Sequence, residues 1–205
     1  LQIMKDELFD ITFERDNGAE FKAALSLLEY SEYDSFVQYL HNEELDRYKN
    51  IKSLIRRAHF VTGRYCSKRS VEKIYEETKF TDILIRNGIF NQPIICNDNI
   101  TNLQVCITHS NSKSAAISFP ESHPVGIDIE NISIDHKSAL ISQFTYYEKL
   151  LFNKINVSEL ILCTVIWTAK ESLSKIMKTG LMASPAIYEV KSIVQTSYGF
   201  KIDFT

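Results

Sequence analysis

Alternating apolar and polar positions predict short strands in both halves of the chain, with helical spacing between them. In the first half the helical pattern covers residues 43–77. Asn87-Gly88, between apolar residues at 83–85 and 89–90, predicts a hairpin turn. Residues 103–107 and 115–119 alternate as two strands joined by a turn, which places His109 at the end of a sheet.

The second half begins with VGIDIE at residues 125–130, whose alternation predicts a strand with one buried face. Helical spacing over residues 138–153 and 158–179 predicts two helices, and strand candidates follow at 188–194 and 200–204. This order of helices and strands predicts the α+β class.

Three carboxylates in these segments suit one metal ion. Asp128 and Glu130 project from the same side of the predicted strand, about 6 to 7 Å apart at the backbone, a spacing that lets both bind one hard cation. Glu171 falls opposite the apolar stripe of its helix, with Trp167 and Lys175 one turn to either side. The alternative is a solvated strand face and an exposed Glu–Lys pair. A Trp beside charges favours a covered face instead.

Composition agrees with a compact enzyme, because 44% of the 205 residues are hydrophobic and only 6 are Gly. No run approaches the roughly 20 apolar residues that span a bilayer, and acidic residues come too early for a signal peptide. We therefore expect a cytoplasmic protein that does not bind membranes. The four cysteines lack C-x-x-C spacing, so we expect reduced and mostly buried thiols.

A basic run covers residues 47–73, which hold nine Lys or Arg and one acid, Glu72. Arg56, Phe60 and Arg64 share one helix face, opposite a predicted apolar stripe that includes Leu54 and Ile55. Two guanidiniums beside an aromatic ring suit a nucleotide that carries phosphates. A nucleic-acid-binding module is the alternative reading of the same run.

VGIDIE followed by WTAKESLSK resembles the signature pair of the 4′-phosphopantetheinyl transferases, in particular their larger, monomeric Sfp-like class. Thr108-His109-Ser110 is similar to the Ser-His-Ser turn of that family, and residues 144–148 are similar to its F-[ST]-x-x-E segment. The segment from Arg56 to Arg64 resembles the branch that serves siderophore synthases. One departure is Asn91-Gln92-Pro93, where many relatives have Gly-Lys-Pro with a phosphate-binding Lys.

The resemblance implies a role for each matching position. Asp128, Glu130 and Glu171 would bind Mg²⁺, and Lys175 would contact the same phosphate oxygens. The coenzyme A contacts would come from Arg56, Arg64, Thr108 and His109. Glu148 would be the general base, although Thr145-x-x-Glu148 is equally a helix capping box.

The implied fold is a pseudo-twofold pair of similar α/β halves, residues 1–120 and 121–205, with the active site between them. The implied reaction transfers 4′-phosphopantetheine from coenzyme A to a serine of an apo acyl or peptidyl carrier protein and releases 3′,5′-ADP. A monomer without nucleic-acid affinity is expected. The rival enzyme is a metal-dependent phosphohydrolase that uses the same carboxylates on a nucleotide-like substrate, without a carrier protein.

Overall fold

The computed structural model of the chain describes residues 3–76 and 78–205. The chain forms two compact units, Leu1–Ile129 and Glu130–Thr205. Each unit combines helices with antiparallel strands, and the predicted α+β class is confirmed. The border between the units lies after Ile129, whereas the sequence-based division lies between residues 120 and 121.

The first unit is a four-stranded antiparallel sheet, in the order β1-β2-β6-β5, with a long helix packed on it and a separate hairpin, β3-β4. Its elements are β1 (Ile3–Glu14), β2 (Glu20–Tyr30), α1 (Asn42–Asn50), α2 (Leu54–Ile74), β3 (Leu84–Asn87), β4 (Pro93–Cys96), β5 (Leu103–Ser110) and β6 (Lys113–Pro120), with 3₁₀ turns at Asp34–Tyr39 and Phe80–Asp82. Gly63 lets α2 approach β5, because a Cβ there would lie 3.1 Å from Cγ2 of Ile107.

The predicted helix over residues 43–77 is two helices, because residues 51–53 leave the helical path and Ser53 caps α2. The predicted apolar stripe is wrong at its start: Leu54 and Ile55 are 68% and 69% exposed. The buried positions of α2 run from Val61 to Val71 and include Arg64 and Lys68. Polar residues therefore occupy part of the face that packs on the sheet.

The predicted hairpin is present, but its second strand begins at Pro93 rather than Ile89. Residues 88–92 form the loop, which is closed by a hydrogen bond of 2.8 Å from the Gly88 N–H to the Gln92 carbonyl. Ile89 is consequently 93% exposed. The apolar residues after Asn87-Gly88 belong to the loop, so their pattern does not mark a strand.

The predicted strand at residues 125–130 is wrong, because this segment pairs with no strand of the described chain. Side chains of β5 replace the missing backbone acceptors. The Ile127 N–H donates to Cys106 Sγ at 3.5 Å, and the Ile129 N–H donates to Thr108 Oγ1 at 3.1 Å. The alternation reflects burial all the same, since Val125 and Ile127 pack on an apolar cluster of the sheet.

The second unit contains three helices and one hairpin among its described residues. They are α3 (Ile134–Ser142), α4 (Tyr146–Leu151), α5 (Glu159–Ile176), β7 (Val190–Thr196) and β8 (Gly199–Phe204), with 3₁₀ turns at Phe152–Lys154, Gly180–Met182 and Pro185–Ile187. The predicted helix over 138–153 is thus interrupted, because Thr145 starts a new helix, α4, with a capping box. Ser158 caps α5 as the helical pattern predicts.

The buried face of α5 differs from the predicted stripe. The predicted stripe includes Ile166 and Met177; Ile166 is buried, but Met177 is 60% exposed, and the polar residues Lys170 and Ser174 lie inside. Trp167 packs against the apolar core of its own unit, which explains why it stands beside charged residues.

Each unit is held by a buried Glu–Lys pair that begins at a capping box. In the first unit, Lys68 Nζ lies 2.6 Å from Glu44 Oε2 and donates to the Tyr39 carbonyl at 2.8 Å. The Glu44 carboxylate also accepts the N–H of His41, its helix N-cap, and the N–H of Ile85 in β3, both at 2.9 Å. One carboxylate thus joins α1, α2 and β3.

The second unit repeats this arrangement. Lys170 Nζ lies 2.6 Å from Glu148 Oε1 and donates to the Pro185 carbonyl at 3.0 Å. Glu148 accepts the N–H of Thr145 at 2.8 Å and the N–H of Val190 in β7 at 2.9 Å. Glu148 therefore joins α4, α5 and β7.

Within residues 3–76 and 78–205, no helix has the length and apolar content to cross a bilayer. All four cysteines are free thiols, and Cys66, Cys106 and Cys163 are buried.

Replacing Lys170 by Met should lower the free energy of unfolding by about 3 to 5 kcal/mol, because it leaves a buried carboxylate without its cation. Urea unfolding of the full chain measures this loss. Lys149→Met, at an exposed position on α4, is the matched control and should change stability by less than about 0.5 kcal/mol. A loss at Lys170 no larger than the loss at Lys149 would contradict the structural role of the pair.

Candidate functional site

A cavity of about 860 Å³ opens in the first unit between α1, α2, the β3-β4 hairpin and the end of β5. Its lining includes four cationic side chains and two imidazoles: Arg47, Lys52, Arg56, Arg64, His59 and His109. No Asp or Glu is among the described residues that line it. Such a cavity attracts anions, and Arg is the side chain best shaped to bind phosphate.

Two guanidiniums meet at one amide oxygen in this cavity. Asn87 Oδ1, at the end of β3, accepts from Arg47 Nη1 at 2.8 Å and from Arg64 Nη2 at 3.0 Å. Both guanidiniums also lie over the ring of Phe60, at 5.4 Å for Arg47 and 4.9 Å for Arg64. The predicted group of Arg56, Phe60 and Arg64 does line one cavity, and Arg47 and Asn87 join Phe60 and Arg64 there.

Arg64 is only 7% exposed, although it lines the cavity. Burial lowers the pKa of its guanidinium to about 10, while the nearby Glu44 carboxylate acts in the opposite direction. The distance from Arg64 Nε to Glu44 Oε1 is 3.5 Å. Arg64 thus stays charged near neutral pH and is fixed by the same carboxylate that holds Lys68.

His109 does lie at the end of β5, as predicted, and it lines the cavity. Its ring stacks on His59 of α2, with centroids 4.0 Å apart and an angle of 15° between the planes. A ring nitrogen of His59 is 3.1 Å from the Asn111 carbonyl. Sequence reasoning gives His59 no role. Its position one turn beyond Arg56 is the signal that could have found it.

Gln92 turns into its own loop rather than into the cavity. Its Oε1 accepts the Phe90 N–H at 3.0 Å, and its amide nitrogen would lie 2.3 Å from a Cβ at Gly88. Gln92 does not appear among the described residues that line the cavity. The side chain stabilises the hairpin loop instead.

Thr108 is predicted to contact coenzyme A, but its observed partner is the carboxylate of Asp128. Thr108 Oγ1 donates to Asp128 Oδ1 at 2.8 Å and accepts the Ile129 N–H. Thr108 is 4% exposed, so this arrangement is shielded from water. The hydroxyl consequently fixes the orientation of one predicted metal ligand.

Carboxylate oxygens are the ligands that Mg²⁺ prefers, so the predicted donors fit such an ion chemically. Asp128 belongs to the first unit, whereas Glu130 and the half-buried Glu171 and Lys175 belong to the second. Among the described residues, no three or more His, Cys, Asp or Glu side chains form a group that could hold a metal. The ligand set of Asp128, Glu130 and Glu171 therefore stays a prediction.

Glu148 is fully buried, and both of its oxygens already accept hydrogen bonds. The capping box with Thr145 is present, as the alternative reading of this segment expects. These contacts favour a structural role for Glu148 over the general-base role. Sequence reasoning overlooks its partner Lys170, which stands directly before Glu171 in the signature.

Comparison with known proteins gives one family match. Residues 124–202 match the model of the 4′-phosphopantetheinyl transferase superfamily. No curated protein matches the chain significantly. Among solved structures, a holo-(acyl-carrier-protein) synthase from Bacillus anthracis, solved in complex with CoA (3′,5′-ADP), is 23% identical, with 47% of this chain and 91% of that chain covered and a TM-score of 0.43. The family match thus covers the part of the chain that contains both signature segments, and it spans less than half of the 205 residues.

Proposed function

We propose that this chain transfers the 4′-phosphopantetheine group from coenzyme A to a serine of an apo acyl or peptidyl carrier protein and releases 3′,5′-ADP. The observation that carries the proposal beyond the family match is the cavity of the first unit, whose lining combines Arg47, Lys52, Arg56 and Arg64 and includes no described acid. The ring of Phe60, which also lines the cavity and is contacted by Arg47 and Arg64, suits an adenosine that bears phosphates.

Binding of the nucleotide end falls to the cavity residues. Arg56 and Arg64 neutralise phosphate oxygens, and His109 donates a hydrogen bond from its ring to a further one. None of these contacts touches the reacting phosphorus, so their contribution is to hold the substrate in place for attack. The rival phosphohydrolase uses no carrier protein, so it does not need to hold coenzyme A in place for attack by a carrier serine.

The reacting diphosphate falls to the signature carboxylates. Asp128, Glu130 and Glu171 would hold Mg²⁺, which when bound neutralises the charge that develops on the leaving diphosphate oxygen. The ammonium of Lys175, one helical turn beyond Glu171, donates to oxygens of the same diphosphate. Thr108 keeps the carboxylate of Asp128 in a fixed orientation.

In the transfer step, the carrier serine oxygen bonds to the β-phosphorus as the bond from that phosphorus to the bridging oxygen breaks. The electron pair of the broken bond leaves with 3′,5′-ADP, and the serine proton passes to a base. Glu148 is the sequence-based prediction for that base, and its buried contacts with Lys170 and Val190 argue for a structural role instead. We further propose that the enzyme acts as a cytoplasmic monomer and belongs to the siderophore-type branch.

Incubation with coenzyme A, Mg²⁺ and a panel of apo carrier proteins tests the proposal, with the intact mass of each carrier as the readout. We expect a gain of one phosphopantetheine that EDTA abolishes and that Asp128→Ala depresses by at least about a hundredfold, because a charge-stabilising group is lost. Release of phosphopantetheine or phosphate without any carrier modification would favour the phosphohydrolase.

Thr108→Val should weaken Mg²⁺ binding by about 10- to 100-fold, because an outer hydrogen bond that orients a ligand typically has this effect on affinity. Titration calorimetry with Mg²⁺ measures it independently of turnover. Thr108→Ser keeps the hydroxyl and is the matched control, for which we expect an affinity close to that of the unchanged chain. Equal affinities of the Val and Ser variants would refute the orienting role.

Glu148→Gln should lower stability and leave the turnover of the folded protein within a few-fold of the original, because Glu148 holds helices rather than substrate. Lys170→Gln breaks the same pair from the other side and should behave alike in both measurements. A fall in kcat of about 10² to 10⁴ for Glu148→Gln alone, with loss of the acidic limb of the pH–rate profile, would establish Glu148 as the base.

A further inference from the structure

Asn87 organises the cations of the cavity without neutralising them. It is the shared acceptor for Arg47 Nη1 and Arg64 Nη2, at 2.8 and 3.0 Å. Two guanidiniums repel each other, and a common acceptor offsets this repulsion by binding an N–H of each. A carboxylate at the same position would bind them more strongly but would cancel one of their charges.

Two acidic residues of α1, Glu44 and Glu43, are bound by cations outside this pair. Glu44 is the acid near Arg64, but it also lies 2.6 Å from Lys68, so its charge is shared with a second cation. Glu43 is bound by Arg86 at 2.8 Å and is not among the described residues that line the cavity. Arg47, Arg64 and Lys68 together outnumber the single carboxylate of Glu44, so this group keeps a net positive charge beside the cavity.

The geometry also limits what this pair can bind. Both donor nitrogens contact one oxygen atom, so they lie close enough together for a single phosphate group to contact both guanidiniums. A terminal phosphate monoester carries close to two negative charges at neutral pH and offers three acceptor oxygens, which matches two neighbouring guanidiniums. A bridging phosphodiester carries one charge and matches less well.

We propose that Asn87 is a positioning residue that sets the selectivity of the cavity for a nucleotide bearing a terminal 3′-phosphate, by holding Arg47 and Arg64 together with both charges intact. This inference rests on the proposed function and assigns Arg47 to the same phosphate as Arg64. Both guanidiniums also lie over the ring of Phe60, which is a second contact that the two share.

The test compares 3′,5′-ADP with 5′-AMP, which lacks the 3′-phosphate, by titration calorimetry on the full chain. The unchanged protein should prefer 3′,5′-ADP. Asn87→Asp keeps the size and the acceptor oxygen but adds a negative charge, and it should reduce that preference by about tenfold or more. Asn99→Asp makes the same change at an exposed position outside the cavity lining, and its preference should equal that of the unchanged protein.

Asn87→Ala separates positioning from folding. If Asn87 were purely structural, the Asn87→Ala variant would be less stable. The Asn87→Asp variant, which retains the acceptor oxygen, would keep its preference for 3′,5′-ADP over 5′-AMP. If Asn87 positions the guanidiniums as a neutral acceptor, the Asn87→Asp variant should unfold at an unchanged or higher urea concentration and should still lose its preference for 3′,5′-ADP.

Two failures are distinguishable. If the unchanged protein modifies a carrier and prefers 3′,5′-ADP, but Asn87→Asp keeps that preference, the inference about Asn87 is wrong and the proposed function stands. If the unchanged protein shows neither carrier modification nor a preference for 3′,5′-ADP, the proposed function itself fails and the inference fails with it.

Discussion

The buried ion pair between a capping-box glutamate and a helix lysine is the interaction on which each unit depends. Glu44 with Lys68, and Glu148 with Lys170, bury charges that tolerate burial only when paired and fully hydrogen-bonded. In each unit the carboxylate also accepts a backbone N–H from the first strand of the hairpin, Ile85 or Val190. In each unit, one short helix and one hairpin are thereby fixed to a long helix by a single carboxylate.

Neighbouring residues in the signature segment of α5 lie on different faces of the helix, and one of them belongs to this buried ion pair. Lys170 lies inside and holds Glu148, whereas Glu171, the next residue, and Lys175 are half-buried and belong to another face of the helix. The same division occurs on α2, where Lys68 is inside and Arg64 lines the cavity four residues earlier. Two candidate site residues on these helices, Glu171 and Arg64, therefore have, one residue or one turn away, a buried lysine that fixes the helix in its unit.

Apolar spacing in the sequence predicted the elements whose buried residues are apolar. It failed where buried polar side chains pack the core. The paired strands β5 and β6 follow their apolar spacing closely, and α5 has nearly the predicted bounds although its buried face differs from the apolar stripe. The buried lysines were not foreseen, because a pattern that counts Lys as polar assigns it to solvent. Residues 125–130 alternate as a strand does, yet Cys106 and Thr108 replace a partner strand. Asn87 was recognised as a turn residue, and only the fold brings Arg47 to it.

A crystal structure of the chain with coenzyme A and Mg²⁺ tests the central claim most directly, namely that the cavity of the first unit binds the nucleotide while Asp128 serves the metal. The account predicts the 3′-phosphate against Arg47 and Arg64, the adenine or ribose beside Phe60, and an ion bound by the carboxylate that Thr108 orients. Coenzyme A bound away from this cavity, or an ion without Asp128 among its ligands, would contradict it.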